Sequence, residues 1–172
     1  MDIKEIGRIR NLLRDLNEPA ETMQECDRKR VVILQLGDLG DESAVHPLLD
    51  FIDQDIYSAT AISAIGKLKY VHLKDRDMFG IIDKLADKVE NGSSRESANA
   101  MQTLKRIAQQ KIDSSEVVDK VMSVLKNNGS NNTELRSRVI EAIKSARELN
   151  TKKFKPPEKG NRIKQKTKHH TR

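Results

Sequence analysis

Apolar residues along this chain recur at spacings of three and four, and the recurrence stops at regular places. The first run, Ile3, Ile6, Ile9, Leu13 and Leu16, marks one face of a helix over roughly 2–16. Asn17, Glu18 and Pro19 break it. A second helix lies within 28–40, with Gly37 near its end and Gly40 beyond it. Glycine suits that place because it takes a left-handed backbone without steric cost. Asp41 or Ser43 then caps a helix over 44–52. Pro47 falls in its first turn or so, where a missing N–H costs little.

The same unit returns along the chain. Residues 57–66 read as a small-residue helix, and Ile65 and Gly66 stand where Leu36 and Gly37 stood. A looser linker over 69–76 leads to a helix over 78–89. Ser93 and Glu96 then have the spacing of a capping box, in which hydroxyl and carboxylate each accept an otherwise unpaired backbone N–H. It opens a helix over 97–108. The pairs Asp113/Glu116 and Asn131/Glu134 repeat the signal before helices over 117–125 and 135–146. Equivalent apolar positions near the ends of the first helices are Leu36, Ile65, Leu104 and Ile143, separated by 29, 39 and 39 residues. Periods of this size holding two helices each predict an α-solenoid. No alternating β-branched run competes. The fold class read here is all-α, an α-solenoid of about eight helices over 1–150, followed by a disordered basic tail over 151–172.

Composition agrees with layered helices. Aromatic residues make up 3% of the chain and Trp is absent, so Ile, Leu, Val, Ala and Met must supply the core. The single cysteine, Cys26, allows no internal disulfide and points to a reducing compartment. The amphipathic N-terminus lacks the apolar stretch of a signal peptide. No run approaches the ~20 apolar residues that span a bilayer. A cytoplasmic protein with no membrane association is expected.

Residues 28–52 resemble a HEAT repeat. The resemblance is carried by Val32, Leu36, Gly37, Leu39, Gly40, Asp41, Ala44, Pro47, Leu48 and Leu49. It is especially similar to the short HEAT-like repeats first noticed in bilin lyases. Residues 57–67 carry a partial second match. Further on only the helix rhythm is shared, and Lys105 and Lys144 replace the glycine. The resemblance covers roughly 20–150 and implies a right-handed stack of helix pairs. Such families mostly bind proteins, some bind nucleic acid, and a few are enzymes, so fold alone does not choose. The last unit has a first helix over 132–149 and no second one. Helix 2–16 is expected to cap the other end. Val139, Ile140, Ile143 and Ala146 need a cover, or the last helix must carry a polar outer face made by Arg136, Glu141, Lys144, Arg147 and Glu148.

Catalytic patterns are missing from the sequence. There is no Gly-x-Ser-x-Gly elbow and no glycine-rich phosphate loop. His46 precedes Pro47 and reads as a surface or capping residue. His72 lies in a loop near Asp75 and Asp77 without helical ligand spacing. His169 and His170 have no fixed geometry. Cys26 reads as a small, partly buried apolar residue. Asp50, Asp53 and Asp55 form either an acidic patch or a solvated helix end. No catalytic residue, cofactor or metal is expected.

Charge is unevenly placed. The formal net charge of +6 belongs to the tail, where Lys152, Lys153, Lys155, Lys159, Arg162, Lys164, Lys166, Lys168 and Arg172 face one acid, Glu158. The preceding 150 residues hold 23 basic and 25 acidic groups. A basic arm of this kind attracts polyanions and gives affinity that falls steeply with salt. Without an aromatic platform, such binding is nonspecific. Two functional expectations follow. One is a non-enzymatic scaffold that binds an unidentified protein through its repeat surface. The alternative is a nucleic-acid- or ribosome-associated protein that uses those nine tail cations.

Overall fold

The computed structural model describes residues 3–70, 72–127 and 132–153. Among the described residues the chain forms eight α-helices and no strand. They are α1 (Ile3–Leu16), α2 (Met23–Leu39), α3 (Val45–Leu49), α4 (Ser58–Ile65), α5 (Asp75–Asn91), α6 (Ser94–Gln110), α7 (Ser115–Asn127) and α8 (Thr133–Lys153). The protein is therefore all-α across these residues.

Local capping chemistry sets the boundaries. Helix α2 begins five residues before Arg28 because Thr22 and Glu25 form a capping box. The Glu25 N–H donates to Thr22 Oγ1 at 3.2 Å, and the Thr22 N–H donates to Glu25 Oε2 at 2.8 Å. It ends at Gly40, whose φ of 69° is left-handed and whose N–H donates to the Gly37 carbonyl. The expected box at Ser93 and Glu96 forms in both directions. At α7 the cap is Ser114 instead of Asp113: the Val117 N–H donates to Ser114 Oγ at 3.3 Å. Asn131 lies outside the described residues.

Several elements differ in length from the sequence reading. The helix expected over 44–52 shortens to α3, preceded by a 3-10 turn at Glu42–Ala44 with Asp41 as its cap. Beyond Leu49 the chain tightens into i→i+3 turns, with N–H groups of Phe51, Ile52 and Gln54 donating to Leu48, Leu49 and Phe51. Phe51 and Ile52 stay buried within those turns. Helix α8 instead runs longer, through Lys153, so the boundary placed at Thr151 falls inside its last turn.

Packing gives the helices an order. Helix α2 packs on α4, α4 on α6, and α6 on α8. Helices α3, α5 and α7 pack against α4, α6, and α6 with α8 respectively, and α5 also meets α7. Leu36, Ile65, Leu104 and Ile143, the four equivalent positions, are all buried at 1% exposure or less. One apolar cluster runs from Leu12 to Ile143 through every layer.

Helix α1 covers α2 with Ile9, Leu12 and Leu16. Leu13 is only half-buried, and Ile3 and Ile6 are exposed. The reason is length: Ile9 already lies beside Leu39 and Gly40, where α2 ends. The first turns of α1 therefore overhang their support. At the other end, Val139 and Ile143 are buried, while Glu141, Lys144, Arg147 and Glu148 give α8 a polar outer face.

Candidate functional site

Two pairs of helices meet closely at a glycine. A Cβ built on Gly37 would lie 2.7 Å from the Ala64 Cα. One unit later, a Cβ on Gly66 would lie 2.6 Å from Thr103 Oγ1. The glycines let α2 approach α4, and α4 approach α6, more closely than any side chain permits. Along the second seam α6 donates repeatedly to α4 and the turn after it. Asn99 Nδ2 donates to the Ala59 carbonyl at 2.9 Å and Thr103 Oγ1 to Ile62 at 3.0 Å. Arg106 Nη1 donates to Gly66 at 3.2 Å and Gln110 Nε2 to Leu68 at 2.9 Å. Residue numbers rise together on both sides, so α4 and α6 run parallel.

Ion pairs follow the same order, with the acid in one unit and the base in the next. They are Asp38–Lys67 and Asp53–Lys84 at 2.6 Å, Asp83–Lys120 at 2.7 Å and Asp119–Arg147 at 2.8 Å. Each is solvent-exposed and adds little stability alone. Their value is register, because a slip along a seam would separate every pair.

The α2–α4–α6–α8 layer turns one face outward. It presents Val31 and Leu34, then Thr60 and Ser63, then Asn99 and Gln102, then Arg138 and Glu141. The face is apolar and exposed at its α2 end, small and polar across α4, and amide-bearing and charged toward α6 and α8.

At the third seam the pattern changes. Lys105 stands where Gly37 and Gly66 stand, and Ala142 where Ala64 and Thr103 stand. A lysine stem cannot occupy the glycine's place, and a cleft of about 240 Å³ opens there. Gln102, Lys105, Leu135, Arg138, Val139 and Ala142 line it. Neither Lys105 nor Arg138 reaches a carboxylate among the described residues. Lys144, the other lysine in a glycine position, is taken by Glu141 at 2.7 Å.

No protein-family model, curated protein or solved structure matches this chain.

A larger groove, about 460 Å³, lies between α1 and α2 and mixes Asp15, Glu18 and Glu25 with Arg28 and Lys29. Lys29 is already committed there: its ammonium donates to the Glu18 carbonyl. The three acids and two bases of that groove leave it a formal net charge of −1.

The sequence-derived residues are scattered across the structure. Lys152 is exposed in the last turn of α8, and Lys153 ends that helix. Lys155, Lys159, Arg162, Lys164, Lys166, Lys168 and Arg172 lie outside the described residues, as do His169 and His170 and the disorder expected of the tail. His46 is exposed on α3. His72 is exposed, and its backbone N–H donates to Glu42 Oε2 at 3.1 Å. Among the described residues no three metal-ligating side chains converge. Asp53 pairs with Lys84, and Asp50 and Asp55 are exposed.

The shifted titrations belong to caps and core. Glu25 is held below the usual carboxylate range by the backbone and hydroxyl of Thr22. Glu96 is lowered by the Ser58 hydroxyl and then by Ser93. Ser58 Oγ is fully buried and makes no hydrogen bond of ordinary geometry, so its influence is that of a nearby dipole. Burial, with a contribution from the Cys26 thiol, pushes Tyr57 up to about 12. Burial raises Tyr70 further, where its hydroxyl donates to the Ile65 carbonyl. Of these groups Glu25 lines the groove between α1 and α2, and its shift comes from its capping partner Thr22.

The cleft at the third seam was missed as a unit by the sequence reading. Its signal was present all the same: lysine at a repeat position held twice by glycine.

Proposed function

We propose that this chain is a non-enzymatic, cytoplasmic helical-repeat scaffold of the HEAT type, and that its α2–α4–α6–α8 face binds another protein. The observation that supports this reading is the recurring seam. Gly37 against Ala64 and Gly66 against Thr103 are the same contact one period apart. Repeats stacked in this way build an extended surface larger than any one helix pair provides. The outward face it creates carries exposed Val31 and Leu34 at 52% and 37%, which a partner can cover. Among the described residues no helix is long and apolar enough to cross a membrane.

The second reading is association with nucleic acid through the basic segment. It is supported by the nine cations against one acid over 151–172. The two readings use different parts of the chain and are separable.

A photo-crosslinking residue at Ser63, central to the face, tests the first reading in the full chain. The expected result is a discrete protein adduct from Ser63 and none from Lys126, which is exposed at the end of α7. RNA adducts at Ser63, or equal capture from both positions, would overturn it.

A further inference from the structure

The cleft between α6 and α8 combines three properties. Its floor is aliphatic: Leu135 and Ala142 are half-buried and Val139 is 2% exposed. Its rim carries two cations, Lys105 and Arg138, and the Gln102 amide. Both cations lack a carboxylate partner among the described residues.

The missing partner is the informative feature. Lys67, Lys84 and Lys120 also cross seams between helices, and each ends on an aspartate at 2.6 to 2.7 Å. Lys105 is as buried as such a residue and ends on nothing. Glu134 sits one turn before Arg138 without pairing to it, and Glu141 is engaged by Lys144. The neighbouring Arg106 is turned to the other seam, where it donates to the Gly66 carbonyl. Neither cation of the cleft is therefore closed by an ion pair among the described residues.

We propose that this cleft binds an acidic, aliphatic segment of the partner protein. A carboxylate would sit between Lys105 and Arg138, and the aliphatic side chain beside it would lie on Leu135, Val139 and Ala142. The inference rests on the scaffold reading and supplies the chemistry of its partner. A nucleic-acid backbone fits less well. Affinity for it comes from many phosphate contacts, whereas two cations line this cleft. Its bases need aromatic platforms, and none lines the cleft. The aliphatic floor would face phosphates with no complement. Arg138 suits the carboxylate because its planar fork can hold both oxygens.

The probe is a peptide alternating glutamate with leucine, titrated into the isotope-labelled full chain and followed residue by residue in an amide NMR spectrum. Saturable shifts are expected at the amides of Gln102, Lys105, Arg138 and Ala142. The double variant Lys105→Met, Arg138→Met keeps the aliphatic surface and removes the charge. It should bind roughly tenfold more weakly, as expected for losing two charge contacts of modest strength. The control Lys74→Met, Lys126→Met removes two exposed cations away from the cleft and should bind as the parent does. Unchanged melting of both variants shows that folding is intact.

Shifts confined to residues beyond Lys153 would overturn the cleft, since the basic segment alone would then explain the binding. Stronger shifts of the cleft amides by a single-stranded RNA would overturn the partner's chemistry. Shifts at Val31 and Ser63 without the cleft would overturn this inference and leave the scaffold reading standing. An unresponsive spectrum also rejects the cleft, and the Ser63 crosslink then judges the scaffold reading separately.

Discussion

Gly37 and Ala64 meet so closely that a single methyl group on Gly37 would fall 2.7 Å from the Ala64 Cα and 2.9 Å from its carbonyl oxygen. The obstacle is backbone, which cannot rotate away. At Gly66 the nearest obstacle is the Thr103 hydroxyl at 2.6 Å. That hydroxyl can move if it gives up its bond to the Ile62 carbonyl, which also accepts from the Gly66 N–H.

The two glycines should therefore respond unequally. Alanine has the better helix propensity by about 1 kcal/mol, which works in favour of both changes. Overpacking costs about 1–3 kcal/mol and dominates where nothing can yield. Gly37→Ala is expected to destabilise the protein by roughly 1–2 kcal/mol. Gly66→Ala should cost less than half as much. Urea unfolding of both variants checks the order, and equal midpoints would show that the first seam is not as tight as described.

Gln110 ties the unit boundary at both ends of its amide. It donates to the Leu68 carbonyl at 2.9 Å and accepts from the Tyr70 N–H at 3.0 Å. Gln110→Ala leaves both part-buried backbone groups without this partner and should cost about 1–3 kcal/mol. Lys67→Ala removes only an exposed ion pair with Asp38 and should cost under about 1 kcal/mol. Chemical denaturation of the two variants compares them directly. A larger loss at Lys67 would mean that surface charge, rather than the polar ladder, holds the seams.

Acid should weaken the two capping boxes. Glu25 and Glu96 titrate below the usual 4.5, so each prefers its charged form in the folded state. A depressed carboxylate contributes stability that is fully present above the unfolded value and is lost as pH falls through the folded value. Glu96→Gln keeps a neutral capping side chain. Its deficit relative to the parent should be constant above pH 5 and shrink below about 4.5. A deficit independent of pH would show that the charge contributes nothing. Ser93→Ala, which removes the cap itself, should cost about 1 kcal/mol near neutral pH.

Much of the helical layout was legible because its signals are local. The spacing of Ile62, Ile65, Met101 and Leu104 fixes a buried face by periodicity alone, and Ser93 with Glu96 marks a helix start. The Thr22–Glu25 box has the same spacing and was overlooked, which placed the start of α2 too late. The turns that bury Phe51 and Ile52 were not legible. Their i→i+3 bonds close within a stretch whose apolar spacing matches an α-helix. The exposure of Ile3 and Ile6 was hidden for another reason: it depends on where α2 ends, which α1 does not encode. The cleft required both levels, since Lys105 becomes notable only once its neighbours across the seam are known.

The α2–α4–α6–α8 face and the basic segment are the two candidate binding surfaces, and a truncation separates them. It should end at Lys153, because α8 reaches that residue and Asn150 donates to Asp113 Oδ1 at 2.8 Å. The decisive measurement is binding of the full chain and of residues 1–153 to labelled RNA, and to the glutamate–leucine peptide, at two salt concentrations. A protein-binding scaffold predicts that 1–153 retains the peptide and shows no salt-dependent affinity for RNA. If 1–153 holds RNA as tightly as the full chain and releases the peptide, the repeat surface is a nucleic-acid surface and the scaffold reading is wrong.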